Sequence, residues 1–296
     1  RIVAWKSKPD EYTLQTEYLL KISHHGNGAA FANKDGFAPE DTLRRARRGA
    51  RGILHQMSDE HAEHELLIES LNDESARVAY KAPYDGYHPP HFPRLFGGLL
   101  VQCGNIVYGR SPSYVKFRAV EVIARVPYHS WTSATFTLLT LFYADEKRAL
   151  RLANIARFTS FAARNETMHV VVISQLAHAH ERAGLFRHTL IPMFFAFFYF
   201  WASYVMYLVN PRWSLEINYL FEQHAFTQYS LFLETHAEKL QHRPISSEFL
   251  TWYGRHPRSE YEFFCSVRND ELVHRNRSIH EMALHAKRAW RERTGS

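Results

Sequence analysis

Two segments of the chain repeat one pattern, Glu166-Thr-Met-His169 and Glu271-Leu-Val-His274. Residues three apart share a helix face, so each pair can aim a carboxylate and an imidazole at one metal ion. The pattern asks for two helices packed against each other. A four-helix bundle can complete such a site with one Glu from each of two further helices. In a chain with 19 His, chance alone supplies about one or two such matches, and the same pairs fit charged residues on solvated helix faces. The surrounding sequence has to separate these readings.

Two apolar stretches each carry one Glu. Glu121 lies in Phe117-Arg-Ala-Val-Glu-Val-Ile-Ala124, and Glu222 in Tyr219-Leu-Phe-Glu-Gln-His-Ala225. A carboxylate on an apolar face is costly to bury unless it is paired or metal-bound. Four helices thus offer four Glu and two His. Carboxylates with imidazoles suit iron or manganese better than soft-ligand metals. The two cysteines, Cys103 and Cys265, exclude a disulfide framework and a Cys-based zinc cluster. His61 and His64, also three apart, sit in Asp59-Glu-His-Ala-Glu-His-Glu65 and read as a solvated charged face.

Residues 1–85 read as a separate polar region, with a charged helix from Glu40 to Leu71. The run Lys81-Ala-Pro-Tyr-Asp-Gly-Tyr-His-Pro-Pro-His-Phe-Pro93 breaks any helix, because Pro fixes φ and lacks a donor. The main domain, 86–296, follows as successive helices: Leu95–Val107, Tyr114–Tyr143, Asp145–Arg182, Thr189–Pro211, Trp213–Leu240 and Glu260–Trp290. The expected fold class is all-α: a ferritin-like di-iron four-helix bundle with additional membrane-associated helices. The stretch Thr189–Asn210 holds no charged residue and is long enough to cross a bilayer. It also fits a helix lying in one leaflet, because Phe194, Phe195, Phe197, Phe198, Tyr199, Phe200 and Trp201 crowd there. The net charge of +6 suits an anionic membrane surface, and the scattered Lys and Arg with no recognition motif argue against nucleic acid. The start at Arg1 reads as processed or truncated, with no targeting signal in view.

At these residues the chain resembles the alternative oxidase family, and within it the plastid terminal oxidase branch. Glu121-Val-Ile-Ala-Arg-Val-Pro-Tyr128, Asn165-Glu-Thr-Met-His169, Glu222-Gln-His-Ala-Phe-Thr-Gln-Tyr229 and Arg268-Asn-Asp-Glu-Leu-Val-His274 look like its four motifs, in order, over roughly residues 90–285. The resemblance implies Glu121, Glu166, His169, Glu222, Glu271 and His274 as ligands of two iron ions. It implies Tyr229 as a redox-active tyrosine and Asn165 and Asp270 as groups that orient the ligands. It places a quinol near Lys116, Val120 and Ala225. Trp252 and Tyr253 match a family aromatic pair.

The implied activity is oxidation of quinol by O2, with plastoquinol placed ahead of ubiquinol. The implied setting is one leaflet of a membrane, as a homodimer in contact with lipid, the plastid thylakoid ahead of the mitochondrial inner membrane. The chain departs from the family pattern at Val120 and Val122, where Leu and Thr are usual. Lys116 replaces an Arg, keeping the charge and losing the planar fork. Leu215 stands where mitochondrial members carry His. The residues alone leave open a ferroxidase, a di-iron hydroxylase or desaturase, and a non-catalytic helical membrane protein.

Overall fold

The computed structural model describes residues 60–294, with side chains to residue 283. Contacts divide the chain into two units, Arg1–Ser70 and Leu71–Ser296. In the first, residues 60–70 form helix α1. Most of the expected Glu40–Leu71 helix lies outside the described residues. His64 is buried, not solvated as its charged surroundings suggest.

The second unit begins upstream of the expected boundary near residue 86. Its first helix, α2 (Glu74–Lys81), is capped by Asp73, whose side chain accepts from the Ala76 amide. Arg275, fully buried, ties the following turn to the last helix: it donates to Asp85 Oδ1 at 2.9 Å and to the Lys81 carbonyl at 3.0 Å. Six helices then build the body: α3 (His91–Tyr108), α4 (Tyr114–Ala124), α5 (Val126–Phe142), α6 (Glu146–His180), α7 (Ile191–Val209) and α8 (Pro211–Gln241). A short α9 (Glu248–Tyr253) leads to the long α10 (Glu260–Thr294). Among the described residues strand-type pairing is limited to one isolated bridge, Pro244 with Ser259.

The single helix expected over Tyr114–Tyr143 is two. Ser113 caps α4 by accepting from the Lys116 amide, and α4 ends at Ala124. Pro127 then sits in the first turn of α5, where its missing N–H costs nothing, but it could not have continued α4. The chain bends there, and Glu121 and Tyr128 come to lie on two different helices.

Two apolar clusters fill the interior. One gathers Phe117, Met168, Val172, Tyr229, Phe232, Phe263 and Phe264. The other gathers Tyr128, Trp131, Phe158, Ala162, Leu215, Tyr219 and Ile279. Along α6, α8 and α10 the chain passes from one cluster to the other. The Glu and His singled out above fall at the crossing, so a polar layer is sealed between two dry ones. Gly97 lets α3 approach α8 closely, since a Cβ there would stand 2.9 Å from Leu220 Cδ1.

Helix α7 behaves differently. It belongs to the segment Phe186–Val209, which is long and apolar enough to cross a membrane. Only Pro192, Ser203 and Tyr207 are buried within α7 itself. Phe194, Phe197, Phe198 and Trp201 are exposed, as are Leu95, Leu99 and Ile106 on α3. Exposed apolar side chains in such density mark a surface that meets something other than water.

Candidate metal centre and adjoining pocket

Four helices converge on the polar layer. Helix α4 supplies Glu121, α6 supplies Glu166 and His169, α8 supplies Glu222, and α10 supplies Glu271 and His274, all buried. Their donor atoms form two groups, each within 4.8 Å: Glu121, Glu166, His169 and Glu271, then Glu166, Glu222, Glu271 and His274. His169 Nδ1 lies 3.3 Å from Glu271 Oε1, 3.6 Å from Glu166 Oε2 and 3.7 Å from Glu121 Oε2. His274 Nδ1 lies 2.7 Å from Glu166 Oε1, an ion-pair approach without hydrogen-bond alignment.

Whether these residues fit metal ions is decided by the atoms left over. Glu121 Oε2, both oxygens of Glu166 and of Glu271, His169 Nδ1 and both ring nitrogens of His274 are buried without a hydrogen-bond partner. Buried polar groups are nearly always satisfied, and four carboxylates packed together repel. Two cations at this point resolve both problems, and the donor set is the one helical di-metal bundles use.

The titration behaviour points the same way. Burial pushes Glu121 up to about 7. Burial, then repulsion from Glu166 and Glu222, lifts Glu271 well above the usual carboxylate range, and burial lifts Glu222. Burial opposes the ionisation of Glu166 too, but His169 and His274 outweigh it and hold that carboxyl below its ordinary value. Burial alone would lower both histidines, yet their carboxylate neighbours raise them. Five of the six donors thus bind protons more readily than free side chains would, and Glu166 less readily.

A supporting layer fixes the donors. His169 Nε2 meets Asp270 Oδ2 at 2.9 Å, which turns Nδ1 toward the carboxylates. Arg255 grips Asp270 with both ends of its fork, at 2.5 and 3.2 Å. Tyr229 donates to Glu121 Oε1. Tyr128 donates to Glu222 Oε1 at 2.7 Å, and Asn218 Nδ2 donates to the same oxygen at 3.0 Å. Asn165 is buried beside Glu166, and its amide donates to Tyr253 at 2.9 Å, while Trp252 is exposed. Tyr128, Asn218 and Arg255 escaped the sequence reading. Tyr128 carried a usable signal, closing the same motif that Glu121 opens. Arg255 carried none, since its loop reaches Asp270 only in the folded chain.

Beside the centre lies a pocket of ≈ 150 Å³ with walls from α3, α4, α7 and α8. Lys116, Val120 and Ala225 line it, together with Tyr229, Glu121 and Glu222. Lys116 Nζ is buried and donates to Asn105 Oδ1 at 3.3 Å, the Arg110 carbonyl at 3.0 Å and Gln228 Oε1 at 3.0 Å. Burial lowers its pKa. His224 also faces the pocket; burial, then the Lys116 charge, pushes its imidazole below the usual value. His61 and His64 join neither donor group.

The bundle and its buried carboxylate–histidine layer fit the di-metal type of helical carboxylate protein. The chain belongs to the alternative oxidase family, whose model matches residues 106–283, a stretch that contains all six donors. That family is one of di-iron enzymes. A similar curated protein is Ubiquinol oxidase 4, chloroplastic/chromoplastic, of Arabidopsis thaliana, 23% identical over 185 residues. The matched region covers 56% of this chain and 50% of that protein, so the chain spans about half the length of the relative it matches. No solved structure matches it.

Proposed function

We propose that the protein is a di-iron quinol oxidase that takes electrons from plastoquinol and reduces O2 to water, bound to one leaflet of the plastid thylakoid membrane as a homodimer. The observation that carries this reading is the contact between an apolar pocket and the buried donor layer. Glu121, Glu222 and Tyr229 belong to the pocket wall, and the pocket is framed by the two helices with the most exposed apolar faces. A hydrophobic two-electron donor could reach that pocket from lipid. The relative's printed name, a chloroplastic ubiquinol oxidase, supports the same class of substrate and the organelle.

Glu121, Glu166, His169, Glu222, Glu271 and His274 would hold two iron ions. Iron bound there supplies the electron storage and the oxygen-binding position that a closed-shell protein lacks. The other tasks fall to the chain. Lys116, pinned by three acceptors, sets a fixed positive potential on the pocket wall. His224, kept neutral by burial, accepts a proton from the quinol hydroxyl at a ring nitrogen. Tyr229 places a phenol between the pocket and Glu121, in position to lend a hydrogen atom. The two apolar clusters keep bulk water from the donors. Overall, two quinols and one O2 give two quinones and two waters.

The test is oxygen uptake by membranes containing the iron-loaded protein, fed a short-chain plastoquinol and, separately, a ubiquinol. Uptake with the quinols in a two-to-one ratio to O2, and faster with plastoquinol, supports the reading. Iron-loaded protein that consumes O2 only while oxygenating another substrate would sink it in favour of a hydroxylase.

A further inference from the structure

A second buried tyrosine stands away from the donor layer in a setting of its own. Tyr114, at the start of α4, is 4% exposed and donates to Glu260 Oε2 at 2.5 Å. Glu260 is 2% exposed, and its other oxygen lies 2.5 Å from His180 Nε2 on α6. Arg243 donates to the Tyr114 hydroxyl at 3.0 Å and approaches Glu260 at 3.8 Å. The side chains of His180 and Arg243 are 24% and 26% exposed. A buried phenol is thus joined to a buried carboxylate, and the carboxylate to a histidine at the surface.

Aromatic rings connect this tyrosine to Tyr229. Tyr229 stacks on Phe117 with centroids 4.2 Å apart, and Phe264 lies 6.1 Å from Tyr229 and 5.7 Å from Tyr114. Phe232 bridges in parallel, 5.2 Å from Phe117 and 5.3 Å from Tyr114. The His180 ring lies 5.2 Å from Tyr114. The hydrogen bonds alone would tie α4, α6 and α10 together. A tie, however, needs neither a base on the phenol nor an unbroken run of rings leading to the metal-side tyrosine.

We propose that Tyr114 is a second redox-active tyrosine, through which an oxidising equivalent stranded on Tyr229 leaves the centre toward the surface at His180. The proposal rests on the reading of Tyr229 as redox-active. A phenol oxidised at neutral pH must lose its proton, and the burial of Tyr114 shields it from bulk water. Glu260 is the acceptor, and His180 passes the charge outward. One electron moves from Tyr114 through the rings to the Tyr229 radical, and the Tyr114 proton moves to Glu260. Tyr229 regains, with the electron, a proton from His224, which the first quinol leaves protonated on the same pocket wall. The Tyr114 radical then takes one electron and one proton from a soluble one-electron reductant of the thiol or ascorbate class. The route operates when O2 reduction begins before enough quinol has arrived to complete it.

The iron-loaded full chain, reduced with less than stoichiometric plastoquinol, is mixed with O2 and freeze-quenched for electron paramagnetic resonance. Wild type, Tyr114→Phe and Glu260→Gln, which keeps the size but not the base, are compared. The expected result is a second tyrosyl signal in wild type that Tyr114→Phe removes and Glu260→Gln weakens, with the Tyr229 signal living longer in both. Turnover at saturating quinol stays unchanged, while turnovers completed before inactivation under limiting quinol fall severalfold. Identical signals and inactivation in all three proteins would reduce Tyr114 to a structural tie. In a separate arm, a photogenerated one-electron oxidant is applied to the full chain. Radical yield that falls in both variants supports the Tyr114–Glu260 pair even if quinol oxidation fails, and equal yields overturn it.

Discussion

Glu166 and Glu271 each belong to both donor groups, whereas Glu121 and Glu222 belong to one apiece. The two metal positions therefore stand or fall on a shared pair of carboxylates. Glu166→Ala or Glu271→Ala should empty both positions. Glu121→Ala or Glu222→Ala should leave about one iron per chain. Elemental analysis of the purified variants reads the difference, and equal losses in all four would break the assignment.

Metal uptake should release protons and tighten as pH rises. Burial raises Glu121 to about 7 and lifts Glu222 and Glu271 above their ordinary values, and the carboxylates raise both histidines, so these groups hold protons more tightly in the metal-free protein than free side chains do. Each must lose its proton to bind metal, so affinity increases from about pH 6 to about pH 8. Calorimetry in buffers of different ionisation enthalpy measures the release directly. A pH-independent affinity with no release contradicts these raised values.

The supporting layer should matter for affinity even where it touches no metal. Asp270→Ala frees His169 to rotate, and Tyr128→Phe removes one of the two donors on Glu222 Oε1. Each should weaken iron binding by about 10- to 100-fold, with the fold retained. Competition with a calibrated chelator gives the constants, with circular dichroism as the folding control.

Tyr229 and Lys116 line one pocket but should fail in different ways. Tyr229→Phe keeps iron and quinol binding and loses most of kcat. Lys116→Met keeps iron and raises the quinol KM by about tenfold, a loss of roughly 1.4 kcal/mol. If both variants shifted KM alone, Tyr229 would be a wall residue and nothing more.

The exposed aromatic face of α7 should drive membrane binding. Phe194→Ser and Phe197→Ser each remove a large apolar side chain from contact with lipid, costing about 1.5–3 kcal/mol where burial is complete. Co-sedimentation with vesicles should show at least a tenfold weaker partition per substitution at about 1.4 kcal/mol per decade. Unchanged partition would put the contact on another face.

The sequence was informative where a local rule coincided with the fold. Helix periodicity puts Glu166 with His169 and Glu271 with His274, and one structure-wide rule adds Glu121 and Glu222. The expected helices Trp213–Leu240 and Glu260–Trp290 also lie within α8 and α10. The bend after Ala124 was missed because Pro127 is compatible with a first helical turn, so its role shows only as the end of α4. The target of Tyr128, Glu222, lies far away in the chain, so its motif position marked the residue but not the pairing, while Arg255 reaches Asp270 from a loop whose path no spacing encodes. The tie from Arg275 to Asp85 and Lys81 was not legible either, because it joins residues far apart in the chain.

The pocket framed by α3 and α7 carries a consequence about units. In the proposed reading its occupant arrives from lipid, so the quantity the site senses is molecules of quinol per molecule of lipid, not per litre of water. Diluting the membrane with inert lipid would slow the protein, while diluting the suspension with buffer would not. Its rate then reports the redox filling of a two-dimensional reservoir, and the aqueous volume drops out of the kinetics.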